Sequence, residues 1–422
     1  MARQWVSLVL LLLLATGCGQ FEVISDPDKV EVLHGKQNHI IEFWHTYSDE
    51  ETRLLEDKLV PEFERQYPAI QVKTVRQTSN EELKNTLIAR ASSMRGPDAV
   101  RMDIVWVPEF LSKGLLVPLN PFPEFESIRN KLRGEVMDIG LNQGQYFSLP
   151  MNINTKIAIY NRKLLNKANL SEPPSSLEAA FKLAREHYFT IGVSGLDTWS
   201  TLPYIHSLGG ELTNETYTKS SGYLNGPGTI RAVERLLSLY KEGTIENSIL
   251  TGDGDNWDGV KGGNVLMMDD GPWFYSVFNG QALDKAIQTT IRTPMPHDNG
   301  PASIIGGENL VIMKGSKQPE DAWIFVKWLT GVEAQLVMAQ TGLIPSNMDA
   351  YKALTYQEGS YIQPYVEALD YAFVRPPLKN WTKIDEVYTR YMRNIFQGDL
   401  SVVEGLTRAA AEIDGLLIGP DH

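Results

Sequence analysis

The chain has one cysteine, Cys18, and seven histidines in 422 residues. A single cysteine excludes an intramolecular disulfide, and histidines scattered without a close pair on one helical face give no zinc-binding spacing. No Gly-x-Ser-x-Gly elbow, Walker loop or dinucleotide fingerprint is present, so neither a metal nor a cofactor is expected. Long apolar runs are missing too: the longest, Trp5 to Ala15, falls short of the ~20 residues needed to span a bilayer. Basic residues are in deficit. The 39 Lys and Arg against 52 Asp and Glu leave a net charge of -13, interspersed rather than blocked, which argues against nucleic acid or an anionic membrane surface as main partner. Gly252-Asp253-Gly254-Asp255-Asn256-Trp257-Asp258 imitates a calcium loop, but Trp257 takes a ligand position, the glycine is misplaced and no Glu closes it.

What is present starts with Cys18 itself. Arg3, an apolar stretch to Ala15, the small Gly17 and the polar Gly19-Gln20 form the layout of a secretory signal. The arrangement resembles a bacterial lipoprotein signal, in which cleavage after Gly17 leaves Cys18 as an acylated N-terminus; Ala15 departs from the Leu more usual there. Residues 1–17 are then a signal peptide and 18–36 a polar tether containing Asp26-Pro27-Asp28. The protein is expected outside the cytoplasmic membrane, held on its outer face by lipid. Without a disulfide, stability must come from an ordinary hydrophobic core, which about 400 mature residues can supply, most naturally as two domains.

Folded structure should begin at His39. Ile40 to Trp44 suits a buried strand, Ser48 and Glu51 form a capping box that opens a helix to about Gln66 with a bend at Pro61, and Ile70 to Val75 alternates as a strand. Glu81 to Met94 reads as a helix and Val100 to Val107 as a third strand, the order that gives a parallel sheet flanked by helices. Met151 to Tyr160 reads as one long strand. Ser175 or Ser176 caps a helix, Ile230 to Tyr240 forms another ending at Gly243, a further one starts near Pro319, and two close the chain around Gln397-Gly398-Asp399.

Several segments, in this order, resemble the bacterial extracellular solute-binding proteins of the maltose-binding class, the lipoprotein receptors of carbohydrate ABC importers. They are Phe43-Trp44-His45-Thr46-Tyr47, Arg101-Met102-Asp103-Ile104-Val105-Trp106, Lys113 to Leu119, Tyr146 to Thr155, Ser207-Leu208-Gly209-Gly210, Gly271-Pro272-Trp273, Gly306-Gly307-Glu308-Asn309-Leu310, Gly342 to Ser346 and Arg375-Pro376-Pro377. The resemblance implies a two-lobed α/β clamp, each lobe a mostly parallel sheet flanked by helices, with hinge crossovers. Lobe one would be 37–150 plus 303–343, and lobe two 151–302 plus 344–422. It also implies a monomer that binds an oligosaccharide, docks on permease subunits and performs no chemistry.

Nine Trp and 17 Tyr are many for one soluble chain, and each either fills the core or lines a cleft. Sugar rings offer apolar C–H faces on which a flat side chain can stack. Trp44 and Trp106, near strand ends, Trp273, set by Gly271-Pro272 behind Asp269-Asp270, its companion Tyr275, and Trp199 in a polar segment are the stacking candidates. Tyr47 follows from the first motif. Hydrogen bonds to charged groups contribute ~1.5 to 3 kcal/mol, more than neutral pairs, which selects Asp103, Glu308 after two glycines, and Arg375 before two prolines. Asn154, with Asn152, lies where the family often places ligand contacts. An exported glycoside hydrolase with Asp103 and Glu308 as its carboxylates, or a receptor for a non-sugar solute, are the alternatives.

Overall fold

The computed structural model describes residues 39–252, 255–354 and 360–417. The expected signal, tether and Cys18, with Asp253 and Gly254 of the calcium-like stretch, lie outside the described residues. The strands that organise the fold are β1 (His39–His45), β2 (Ile70–Arg76), β3 (Ala99–Asp103), β4 (Ser148–Asn154), β5 (Ile157–Asn161), β6 (Thr190–Gly192), β7 (Val265–Asp270), β8 (Thr290–Thr293), β9 (Ser303–Ile312), β10 (Ile344–Pro345) and β11 (Ala372–Val374).

Seven of them form one sheet in the order β10-β4-β9-β3-β1-β2, with β11 beside β9, and four form a second, β8-β5-β7-β6. The α/β class is as expected, but neither sheet is mostly parallel. β1 pairs parallel with β2 and β3, whereas β9 runs antiparallel to β3 and β4; in the second sheet only β6 and β7 are parallel. The reason is connectivity: β9 is not a successive member of a strand-helix-strand series and enters between β3 and β4 from the opposite direction.

Period-two alternation buries the first sheet on both faces. Ile41 and Phe43 of β1 face one cluster with Phe63, Trp323 and Phe325; Trp44, Val100 and Met102 face another beneath the helix Glu81–Ser92. The second sheet packs Tyr160, Ile191 and Met267 against Phe181, Val233, Tyr388 and Ile413 of four helices. The Ser48–Glu51 capping box is present. Pro61 does not mark a simple bend: a π-helical turn, Leu55–Leu59, precedes it, and Val60 N–H donates to the Leu55 carbonyl. Widening the turn there eases the clash of the proline ring with the carbonyl four residues back.

Two expected strands are shorter than read. β3 stops at Asp103, whose carboxylate accepts from Val105 N at 3.0 Å and starts a 3-10 turn, Ile104–Trp106. The run Met151 to Tyr160 breaks at Thr155-Lys156, where the chain leaves one sheet for the other. Thr155 Oγ1 lies 2.7 Å from Ser303 Oγ, and Ser303 Oγ donates to the Lys156 carbonyl at 2.6 Å, so two crossings between sheets are tied together.

Candidate functional site

The ends of β1, β2 and β4 meet the interior of β3 and β9 at a cavity of about 740 Å³. After β1 come Thr46, Tyr47, Ser48 and Glu51; after β2, Gln77, Thr78 and Ser79 beside Arg76; β3 contributes Arg101, β9 Glu308 and β4 Asn154. Trp273, following β7 of the second sheet, and Leu343 complete the lining. The lining thus combines hydroxyls, amides and charges with one indole.

The charged floor is built around Arg101. Its Nη1 donates to Thr46 Oγ1 at 2.9 Å, its Nη2 to Asn152 Oδ1 at 3.0 Å, and Nη2 is 2.9 Å from Glu308 Oε2. Tyr47 lies over the guanidinium at 4.0 Å. Asn152 Nδ2 donates to the same Glu308 oxygen at 2.6 Å. Burial pushes the Glu308 carboxyl up from its ordinary range, and Arg101 opposes that rise. His45, behind Tyr47, is pushed down to about 4 by burial, with Arg101 and Arg76 adding to the effect, and is neutral at physiological pH.

On the far side, Trp199 stands 6.2 Å from Trp273 between ring centroids. Arg375 lies over the Trp199 ring at 5.0 Å and reaches Asp103 Oδ1 at 3.5 Å. Lys156 pairs with the buried Asp269, which also accepts from Tyr204 Oη at 2.6 Å, and Lys156 Nζ donates to the Trp199 carbonyl at 3.3 Å. The polar residues around Trp199 are a helix start, since Asp197 accepts from Ser200 N as the N-cap of the helix Thr198–Ser207.

The structure therefore gathers Tyr47, Asn154, Trp273 and Glu308 at the cavity, with Trp199, Arg375 and Asp103 in contact beside it. Three other candidates are elsewhere. Trp44 is 8% exposed, donates to Glu42 Oε1 at 2.7 Å and lies under Arg90 on the helix-covered face. Trp106, 6% exposed, falls in the turn after β3 and packs into the same cluster. Tyr275 is fully buried, with its hydroxyl 2.8 Å from Thr290 Oγ1. Strand parity and one helical turn carry these rings away from the cavity.

Two reasons given for good candidates also change. Asp269 and Asp270 are buried residues of β7, not a polar turn; Asp270 accepts from Trp257 Nε1 at 2.5 Å and Gly271 N at 2.7 Å, and burial pushes it up to about 6. The glycines before Glu308 make room for protein. A Cβ on Gly306 would lie 2.3 Å from Asn154 Oδ1 and 3.0 Å from the Trp199 ring, and one on Gly307 2.3 Å from the Asn152 carbonyl oxygen. Likewise the Trp273 indole folds back over Gly271, where a Cβ would approach it to 2.2 Å.

Arg101 and Lys156 are the functional neighbourhood's unforeseen members. Each is a charged residue inside an apolar stretch, and a buried charge must find a partner. Among the described residues no group of three or more His, Cys, Asp or Glu could hold a metal ion, and no helix is long and apolar enough to cross a membrane.

The profile of a family described as bacterial extracellular solute-binding protein matches residues 58–362. The chain belongs to the bacterial extracellular solute-binding proteins. Membership makes it an exported protein, and several solved solute-binding proteins share its two-lobed fold. The GacH receptor of Streptomyces glaucescens, solved unliganded and in complex with acarbose, is 24% identical with a TM-score of 0.80, over 91% of this chain and 100% of that one. The cyclic alpha-maltosyl-1,6-maltose binding protein of Arthrobacter globiformis is 20% identical with a TM-score of 0.76, over 90% and 98%. A maltotriose-binding protein of Pyrococcus abyssi is 21% identical over 347 residues, 79% of this solute-binding protein and 72% of that one.

Proposed function

We propose that this solute-binding protein is the carbohydrate receptor of an ABC importer: it takes a di- or oligosaccharide between its lobes, leaves it intact and delivers it to membrane permease subunits. The observation that carries the reading is the mixed lining of the cavity, in which the polar Glu308, Ser48, Thr78 and Asn154 are joined by the Trp273 indole. Hydroxyls of a sugar match such a wall while its C–H face matches the indole. The names of the relatives, which state maltotriose, acarbose and a cyclic maltosyl-maltose as ligands, support the same class. Tyr47, Asn154, Trp199, Trp273 and Glu308 are the contacts we assign, with Asp103 and Arg375 joining the two sides.

In this reading the lobes are 37–150 with 303–343 and 151–302 with 344–422, and a ligand touching both favours the closed state by its differential affinity. The protein acts as a monomer. Cys18 carries the lipid that holds it on the outer face of the cytoplasmic membrane, and a Cys18→Ser protein still membrane-bound after a salt wash would remove that element.

A hydrolase places two carboxyls about 5 to 10 Å apart on either side of the scissile bond. Asp103 and Glu308 are instead cross-strand partners in the β3–β9 register, side by side on one sheet face, each engaged by an arginine. That arrangement favours binding. The test is a thermal-shift screen of neutral oligosaccharides, where a ligand at 100 times its Kd stabilises by about 2.7 kcal/mol, followed by chromatography of the stabilising sugar. It should be recovered uncut; cleavage abolished by Glu308→Gln would make the protein an enzyme.

A further inference from the structure

The cavity wall contains two arginines and two glutamates, but their charges are not equally available. Arg101 is 2% exposed; its Nη1 and Nη2 serve Thr46, Asn152 and Glu308 within the protein, and its Nε, which has no partner, is itself buried. Arg76, half exposed at the rim, gives Nε to the Tyr47 carbonyl at 2.8 Å and pairs with Asp49. Glu308 differs. The contacts from Asn152 and Arg101 both fall on Oε2, and its side chain keeps 22% exposure in the cavity lining. Glu51 lines the same wall, and Asp103 is the register partner of Glu308. One cation is buried against partners and the other is paired at the rim, while a carboxylate lines the space a ligand would fill.

Resting on the carbohydrate reading above, we infer that the cleft selects uncharged polyhydroxylated ligands and turns away their acidic counterparts, uronates among them, with Glu308 held by Arg101 as the determinant. A carboxylate accepts hydrogen bonds from ligand hydroxyls, whereas a ligand carboxylate has no proton to donate and meets it as acceptor against acceptor and like charge against like charge. Arg101, buried and paired with Glu308 at 2.9 Å, brings no net positive charge to that ligand. His45 adds no positive charge while neutral. The chain's net charge of -13 works in the same direction at longer range.

The experiment is a calorimetric titration of the purified protein with neutral di- to tetrasaccharides, maltotriose and mannotriose among them. The sugar that binds is compared with its C6-oxidised form, which carries uronate, and with the methyl ester of that form. We expect the uronate to bind at least tenfold more weakly and the ester to recover most of the loss, because it restores neutrality and keeps the added bulk. Equal binding of parent and uronate overturns the inference and leaves the carbohydrate reading standing, and an ester as weak as the uronate overturns it as well, by making shape the cause. Failure of every neutral sugar overturns both readings. Glu308→Gln should narrow the tenfold ratio to below threefold by freeing Arg101; an unchanged ratio in a folded variant removes Glu308 as the determinant. The ester comparison needs no variant and decides the selection even where Glu308→Gln does not fold.

Discussion

The two sheets bring different chemistry to the same cavity. The first lines it with Thr46, Ser48, Arg76, Arg101 and Glu308, and its tryptophans, Trp44 and Trp106, are turned into apolar packing. The second contributes indoles at the openings of helices, Trp199 at the start of Thr198–Ser207 and Trp273 at the start of Trp273–Ser276. A ring at the end of a buried strand is needed by the core on one face or the other. A ring at the opening of a helix that follows a strand can lie beyond the sheet edge, where ligands of α/β proteins bind, as Trp273 does, or turn back into the core, as Tyr275 does two residues later. In the carbohydrate reading the first sheet supplies direction through hydrogen bonds, and the second supplies contact area.

This division can be broken most forcefully at Trp106. Truncation of a buried aromatic costs roughly 3 to 5 kcal/mol, so Trp106→Ala should lower the unfolding free energy by that amount in a urea titration, while the folded fraction binds sugar within about twofold of the unmodified protein. Loss of binding with stability intact would return Trp106 to the cleft. Trp44→Ala should behave in the same way, with an additional loss of the Glu42 bond.

The converse substitution, Trp273→Ala, sharpens the comparison. Stacking adds ~0.5 to 1.5 kcal/mol to the burial of apolar sugar surface, so binding should weaken at least tenfold, about 1.4 kcal/mol. Unfolding free energy should fall by much less than for Trp106→Ala. A variant that loses several kcal/mol of stability and binds normally would place Trp273 with the core residues.

The smallest effect is expected at Tyr275→Phe, which removes one buried hydroxyl bonded to Thr290. Such a bond contributes ~1 kcal/mol. The melting temperature should drop slightly, and sugar affinity should be unchanged by calorimetry; a tenfold loss of affinity would restore Tyr275 as a ligand contact.

Much of the frame is legible along the chain because its causes are local. Ser48 with Glu51, Ser176 before Leu177 and Gly398 after Gln397 announce helix ends through groups a few residues apart, and each is found as expected. Where a strand stops is less local. Asp103 ends β3 by capping its own turn, and Thr155-Lys156 divides an apolar run because its two halves pair with different sheets.

The sequence by itself determined that the protein is α/β, lacks a disulfide and resembles a solute receptor, since composition, periodicity and motif order need no partner to be read. It also singled out Trp273 and Glu308. Only the tertiary structure decided which face each ring takes, that Asp269 serves Lys156 and Tyr204, and that Arg101 sits beneath Glu308. The physical reason is that hydrogen bonding and burial join residues far apart in the chain: Arg101 and Glu308 become neighbours only when β9 returns antiparallel beside β3. A charged residue in an apolar strand signals that a partner must exist, but pairing of strands chooses which.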